Sequence, residues 1–127
     1  MPTTYRDLIQ QTTNWPTLDF GLNTQGLTFH GVPLMEVVRE YGTPLRLTYL
    51  PKIGQKVDEA RALFRNAMAG NAYPGTYTPC YCTKSSHFAF VLDEVLKHGA
   101  HLETSSAYDI DIISQLAAEG KLSADTY

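Results

Sequence analysis

Residues 77–104 have the sequence YTPCYCTKSSHFAFVLDEVLKHGAHLET. Residues 77–83 are rich in strand-forming side chains, and residues 88–96 then place apolar side chains at helical spacing before Gly99 ends the pattern. Residues 100–104 again predict a strand. Two strands separated by a helix predict parallel pairing through a crossover helix.

The same alternation continues on both sides of this stretch. Residues 45–49 predict an earlier strand, and apolar residues at helical spacing over residues 53–68 predict the helix after it. Beyond the third strand, Ser105 or Ser106 can cap a further helix. About three βα units are therefore expected. Periodicity alone does not decide between the edge of a doubly wound sheet and the first part of a barrel.

The amino-terminal part of the chain has a different pattern. Residues 18–29 alternate loosely around turn-forming residues and predict a strand or hairpin, whereas residues 32–41 predict a helix with Pro33 in its first turn. We therefore expect an amino-terminal strand and helix extension over residues 1–42 and an α/β domain over residues 43–127.

Composition limits the classes of function. The chain has 127 residues, 43% of them hydrophobic and 18% charged, which suits one folded domain or part of one. No apolar run approaches the roughly 20 residues that span a bilayer, so we expect no membrane partner. The net charge of −3, without a basic cluster, argues against nucleic acid binding. A small-molecule partner is the expectation.

The only two cysteines, Cys80 and Cys82, are too close in sequence for a favourable disulfide. Free thiols and the lack of a secretory signal at the start predict a cytoplasmic location. A metal site would need more ligands, and His87 lies beyond the predicted strand end, so we expect none.

Lys84 follows the predicted strand over residues 77–83. Reactive groups in α/β folds gather at the carboxyl ends of strands, and alternation would place Cys80, Cys82 and Lys84 on one face. If that face lines a barrel, burial favours the neutral, nucleophilic amine that a cofactor-bearing lysine needs. The alternative is a solvated lysine where a strand meets a loop.

Glu103 lies near the end of the next predicted strand. Alternation would place His101, Glu103 and Ser105 on one face, and adjacent strands would bring Glu103 close to Lys84. A carboxylate there could balance the charge of the lysine. The alternative for Glu103 is an ordinary surface ion pair, and His101 is more simply explained as a hydrogen-bonded core residue.

Three segments carry a family resemblance. Residues 81–86 resemble the tyrosine-alanine-valine-lysine-alanine-asparagine segment of fold-type III decarboxylases dependent on pyridoxal phosphate (PLP), whose lysine bears the cofactor. Residues 102–106, with Asp109 after them, are similar to the family's phenylalanine-aspartate-cysteine-alanine-serine block and its following acidic residue. Residues 31–34 and 41–45 are similar to the approach to the first barrel strand.

There are departures from the family pattern. Arg46 stands in place of an aromatic residue, Cys82 and Thr83 replace alanine and valine, and Glu103 replaces an aspartate. The last change matches arginine decarboxylases better than ornithine decarboxylases. The segments from Tyr81 to Ser106 most resemble biosynthetic-type arginine decarboxylases.

The resemblance implies the first part of a (β/α)₈ TIM barrel of the alanine racemase type, of which residues 43–127 supply about three of eight units. The β segment at residues 18–29 would join a second, β domain. Lys84 would bear PLP, and Glu103 and Ser106 would contact it. Residues for the phosphate, the pyridine nitrogen and the substrate would lie after Tyr127.

The implied reaction is the decarboxylation of a basic amino acid, arginine to agmatine, in polyamine biosynthesis. Diaminopimelate or ornithine decarboxylation, racemisation, a non-enzymatic PLP-binding protein of the same barrel, and an interaction protein that lost its chemistry stay open. A homodimer or higher oligomer is implied for the full-length enzyme. We expect the 127-residue piece alone to be inactive and poorly stable, with an unpaired edge after its third strand.

Overall fold

The computed structural model of the chain describes residues 18–126, and contacts along the chain divide them into one unit ending at Thr48 and a second beginning at Tyr49. Residues 1–17 of the expected amino-terminal extension and Tyr127 lie outside the described residues. The expected boundary after residue 42 stays a prediction.

The first unit contains an antiparallel sheet. Strands β1 (Phe20–Asn23), β2 (Gly26–Phe29) and β3 (Val32–Pro33) pair in sequence order, and helix α1 (Leu34–Tyr41) follows. The hairpin predicted within residues 18–29 is confirmed. The predicted helix starts at Leu34 and not at residue 32, because the two preceding residues pair with β2.

The second unit alternates helices with two short strands. Its elements are helix α2 (Pro51–Gly70), strand β4 (Cys80–Cys82), a 3₁₀ turn (Thr83–Ser85), helix α3 (Ala89–Lys97), strand β5 (His101–Glu103) and helix α4 (Ala107–Ala118). The strands are parallel, and α3 joins them. The second unit is therefore of mixed α/β class, with the strand–helix–strand arrangement that the sequence predicts.

The strands are shorter than the sequence predicts, and one is absent. Residues 45–49 do not form a strand, residues 77–83 form one only over Cys80–Cys82, and residues 100–104 only over His101–Glu103. A segment becomes a strand only where a neighbour pairs with it. Among the described residues β5 pairs only with β4, so the predicted open edge is present. Of the three expected βα units, only two contain both a strand and a helix.

The core of the second unit lies where α3, β5 and α4 meet. Apolar residues at helical spacing give α3 one buried face, while Leu102 points into the same core from the middle of β5. The buried apolar side chains in the described residues are Val91, Leu92, Val95, Ala100, Leu102 and Leu116. Tyr81, paired with Leu102, packs against them. The candidate functional residues Cys82 and Glu103 therefore lie on the opposite face of the two strands.

Helix α2 covers this core from another side. Ile53 and Val57, four residues apart, pack against it. Lys56 and Glu59 form an exposed ion pair at 2.6 Å. No helix within residues 18–126 combines the length and the apolar character needed to cross a membrane.

Arg61 links α2 to the end of α3. Its Nη1 donates to the carbonyl of His98 at 2.6 Å and its Nη2 to the carbonyl of Gly99 at 2.7 Å. Gly99 has a φ of 65°, a left-handed conformation that glycine adopts without strain. The guanidinium therefore satisfies carbonyls at the point where the chain leaves α3 for β5.

Candidate functional site

Polar side chains collect at the carboxyl ends of β4 and β5. Because the strands are parallel, with Cys82 paired to Glu103, both ends lie at the same edge of the sheet. Strand β4 leads into the turn Thr83–Ser85, and β5 leads through residues 104–106 into α4. The candidate site is this edge.

Lys84 lies in the middle of the 3₁₀ turn and is exposed. The expected alternation that would place Cys80, Cys82 and Lys84 on one strand face is therefore wrong for Lys84, because the strand ends at Cys82. Hydrogen bonding with Glu103 is the main influence on the pKa of the Cys82 thiol and raises it, while the charge and the backbone N–H of Lys84 act in the opposite direction. No ion pair to Lys84 is present within residues 18–126.

Glu103 is the last residue of β5 and is exposed. Its pairing with Cys82 places both side chains on the same face of the sheet. Hydrogen bonding between the thiol and the Glu103 carboxylate is the main cause that raises the pKa of Cys82, with burial and the carboxylate charge adding to it. Glu103 and Lys84 thus have opposite effects on the pKa of Cys82.

Ser106 is the N-cap of α4, as the sequence allowed. Its hydroxyl accepts a hydrogen bond from the backbone N–H of Asp109 at 3.2 Å and donates to the Asp109 carboxylate at 3.0 Å. This is a variant of the capping box, in which a side chain three residues into the helix reaches back toward the cap. Capping of α4 alone therefore explains the position of Ser106.

The buried centre of the site is Asp109, which is 1% exposed. Its Oδ2 accepts from the backbone N–H of Ser105 at 2.9 Å, and its Oδ1 lies 2.8 Å from Nε2 of His87. The Ser105 N–H is the main cause that holds the pKa of Asp109 well below its usual range; His87, Ser106 and Thr83 act in the same direction, and burial opposes them.

Residues before and after Lys84 tie its turn to neighbouring elements. Thr83 is fully buried, and its hydroxyl donates to the carbonyl of Glu103 at 3.0 Å. His87 follows the turn, with its side chain 40% exposed, and its ring meets that of Tyr108 edge-on at 5.5 Å between centroids. The Lys84 turn is therefore held to β5 through Thr83 and to α4 through His87.

Sequence reasoning missed the His87–Asp109 pair. The two residues lie 22 positions apart, and only the fold of the strand ends brings them together. The spacing of Ser106 and Asp109 is the one signal that could have placed Asp109 at a helix start. A histidine oriented by a buried carboxylate is a common acid–base arrangement.

At this edge Lys84 and Glu103 are both exposed. A cavity of about 160 Å³ lies between β5 and α4, with Leu102, Thr104 and Ile110 among its lining residues. A groove of about 430 Å³ runs between α2 and β4, beside Tyr77 and Tyr81. Neither is lined by Lys84. The described residues contain no group of three or more histidine, cysteine or acidic side chains able to hold a metal ion.

Comparison with family models, curated proteins and solved structures finds no match to this chain.

Proposed function

We propose that the chain is part of a PLP-dependent amino-acid decarboxylase of fold type III and that Lys84 bears the cofactor. One observation carries the proposal. An exposed lysine lies two residues beyond the carboxyl end of one parallel strand, and Glu103 lies at the carboxyl end of the neighbouring strand. Reactive groups occupy this edge in barrels and open α/β sheets alike.

The described residues fit the aldehyde end of PLP. A lysine that bonds to an aldehyde must present an accessible amine, and Lys84 does so without an ion pair to any described residue. When bound, PLP supplies the electron sink that lets a substrate carboxylate leave as carbon dioxide. The chain's own contribution here is to hold Lys84 at the sheet edge through Thr83 and His87.

The described residues do not supply a phosphate site. The N-terminus of α4 would favour an anion, but the Asp109 carboxylate already fills it. The hydroxyl proton of Ser106 is donated to Asp109, which leaves Ser106 only acceptor capacity toward a ligand. Contact between Ser106 and PLP stays a prediction, and we assign phosphate binding to none of the described residues.

The role proposed for Glu103 is electrostatic. Its carboxylate faces the same side of the sheet as the Cys82 thiol, which the Lys84 charge also reaches. Without forming an ion pair, a carboxylate at this edge favours the charged form of the lysine before the cofactor is bound. Replacing Glu103 with Gln in the complete protein should therefore lower turnover more than it lowers the free energy of unfolding.

The substrate proposed is arginine, which would be converted to agmatine. This part rests on the resemblance of the segments around Lys84 and Glu103 to arginine decarboxylases. Ornithine or diaminopimelate decarboxylation and non-enzymatic PLP binding are the alternatives. We further propose a cytoplasmic enzyme that acts as a homodimer or higher oligomer.

Borohydride reduction in the presence of PLP tests the lysine assignment. The pyridoxyl group should map to the peptide that contains Lys84, and Lys84→Ala should abolish this label. Lys97→Ala is the matched control, because Lys97 is 69% exposed and lies at the end of α3. Labelling that follows Lys97, or that spreads evenly over the lysines, would refute the assignment.

Carbon dioxide release tests the reaction and its substrate. The complete protein with PLP should be assayed in parallel with arginine, ornithine, lysine and meso-diaminopimelate, and arginine should give the highest kcat/KM. Preference for another amino acid would overturn the substrate alone. Label at Lys84 without any carbon dioxide release would favour the non-enzymatic PLP-binding protein.

A further inference from the structure

His87 and Asp109 form a pair whose hydrogen-bonding roles are fixed by their neighbours. The Asp109 carboxylate accepts from the Ser105 N–H and the Ser106 hydroxyl on its Oδ2, and both of these groups donate. The carboxylate is ionised near neutral pH, so it can only accept from His87 as well. The 2.8 Å contact therefore requires that Nε2 of His87 carries a proton.

In its neutral form, His87 therefore has an unprotonated Nδ1 that can accept a proton, because a neutral imidazole carries only one ring proton. The His87 side chain is 40% exposed, while Asp109 behind it is 1% exposed. The pair with neutral His87 thus offers a proton acceptor on a partly exposed ring and keeps the negative charge buried.

Contacts on both sides of Lys84 hold the turn that carries it. Thr83 lies directly before Lys84 and donates to the Glu103 carbonyl, and His87 lies three residues after it and contacts Asp109. Lys84 is exposed, and its four-carbon side chain is flexible, so its amine can approach groups that project from its own turn. A lysine amine must lose a proton from its ammonium form before it can attack an aldehyde.

We propose that His87 accepts this proton from Lys84 and that Asp109 is the positioning residue that keeps Nδ1 of His87 free to do so. One N–H bond of the Lys84 ammonium breaks and an N–H bond at Nδ1 of His87 forms, and the new imidazolium is balanced by the Asp109 carboxylate. The inference rests on the proposed function for its biological meaning, although the proton transfer can be tested with any aldehyde.

The tautomer of His87 gives a test that does not depend on PLP. In Asp109→Asn, the backbone N–H of Ser105 can only donate, so the amide oxygen must face it and the amide NH₂ group must face His87. Nε2 of His87 would then have to accept, which moves the ring proton to Nδ1. The ¹⁵N spectrum of the His87 ring should therefore show a protonated Nε2 in the wild type and a protonated Nδ1 in the variant.

Labelling rates test the proton transfer itself. The full chain is treated with PLP and borohydride, and separately with formaldehyde and a mild hydride donor, and the initial labelling rate of Lys84 is divided by that of Lys97. His87→Gln and Asp109→Asn should each lower this ratio by about tenfold or more. His30→Gln is the matched control, since His30 also contacts a carboxylate, that of Asp19, but belongs to the first unit, and it should leave the ratio unchanged.

The outcomes are distinguishable. If wild-type Lys84 is not preferred by PLP but the formaldehyde ratio falls in both variants, the proposed function fails and the proton transfer stands. If the ratio is unchanged in His87→Gln with both aldehydes, the proton transfer is refuted whatever PLP does. A wild-type ring with its proton on Nδ1 would overturn the role of Asp109. Circular dichroism tests whether each variant is folded. If a variant is unfolded, His87→Asn supplies the second measurement.

Discussion

Replacing Leu92 with Ala should cause a large loss of stability in the second unit. Leu92 is 1% exposed and lies in the buried cluster formed by α3, β5 and α4. A buried leucine truncated to alanine loses its transfer free energy and leaves a cavity, at a typical cost of 2–5 kcal/mol, and we expect about 3 kcal/mol here. Small domains have roughly 5–15 kcal/mol in total, so this loss is a large share.

Leu63→Ala is the control for the chemical change itself. Leu63 lies within α2 and is 62% exposed. Full burial of a leucine stabilises by about 1.5–3 kcal/mol, and the partial burial of Leu63 scales this to less than about 1 kcal/mol. Both leucines lie inside helices, so the difference in helix propensity between leucine and alanine is the same in both variants.

Urea denaturation of the full chain, followed by far-ultraviolet circular dichroism, measures both losses. The free energy of unfolding is obtained by linear extrapolation, with the slope compared among wild type and variants to check that the transition is the same. The Leu92 variant should unfold at a clearly lower urea concentration than the Leu63 variant. Equal losses in the two variants would refute the assignment of the core to α3, β5 and α4.

Two further predictions concern backbone space and acid stability. A side chain at Gly54 would overlap the His98 ring, which carboxylates hold in place, so Gly54→Ala should destabilise the protein by about 1–3 kcal/mol. Gly70 has open space around it, so Gly70→Ala should not destabilise the protein, and thermal melts compare the two variants. The folded-state pKa of Asp109 lies below its unfolded value of about 3.9, so its stabilising effect is present above about pH 4 and is lost as the pH falls further. The stability of Asp109→Asn should therefore fall less steeply than that of the wild type below about pH 4 in acid titrations, and parallel curves would contradict this reasoning.

Helices were predictable from the sequence because their signals are local. The apolar spacing over residues 53–68 and 88–96 matches helices that the structure places at Pro51–Gly70 and Ala89–Lys97. Ser106 could be named as a cap because its side chain bonds within its own helix turn. These interactions involve neighbours in sequence, so the residues themselves specify them.

Strand lengths and the buried pair could not be predicted in the same way. Strand formation over residues 45–49 depends on a partner that the sequence pattern does not name. The turn at Thr83–Ser85 takes Lys84 off the strand, although the residue types alone favour a longer strand. The contact between His87 and Asp109 requires that two strands end side by side, which is a property of the tertiary fold.

The contacts at the two ends of β5 have a consequence for strand alignment. A three-residue ladder has few hydrogen bonds to resist sliding, and a slip by one residue would turn Leu102 outward and Glu103 into the core. Arg61 donates a hydrogen bond to the chain just before β5, and the Thr83 hydroxyl donates one to the carbonyl of Glu103 at the end of β5. Contacts outside the ladder therefore fix the alignment. In this short sheet, a helix side chain and a buried hydroxyl resist the shift in register that additional paired residues would resist in a longer sheet.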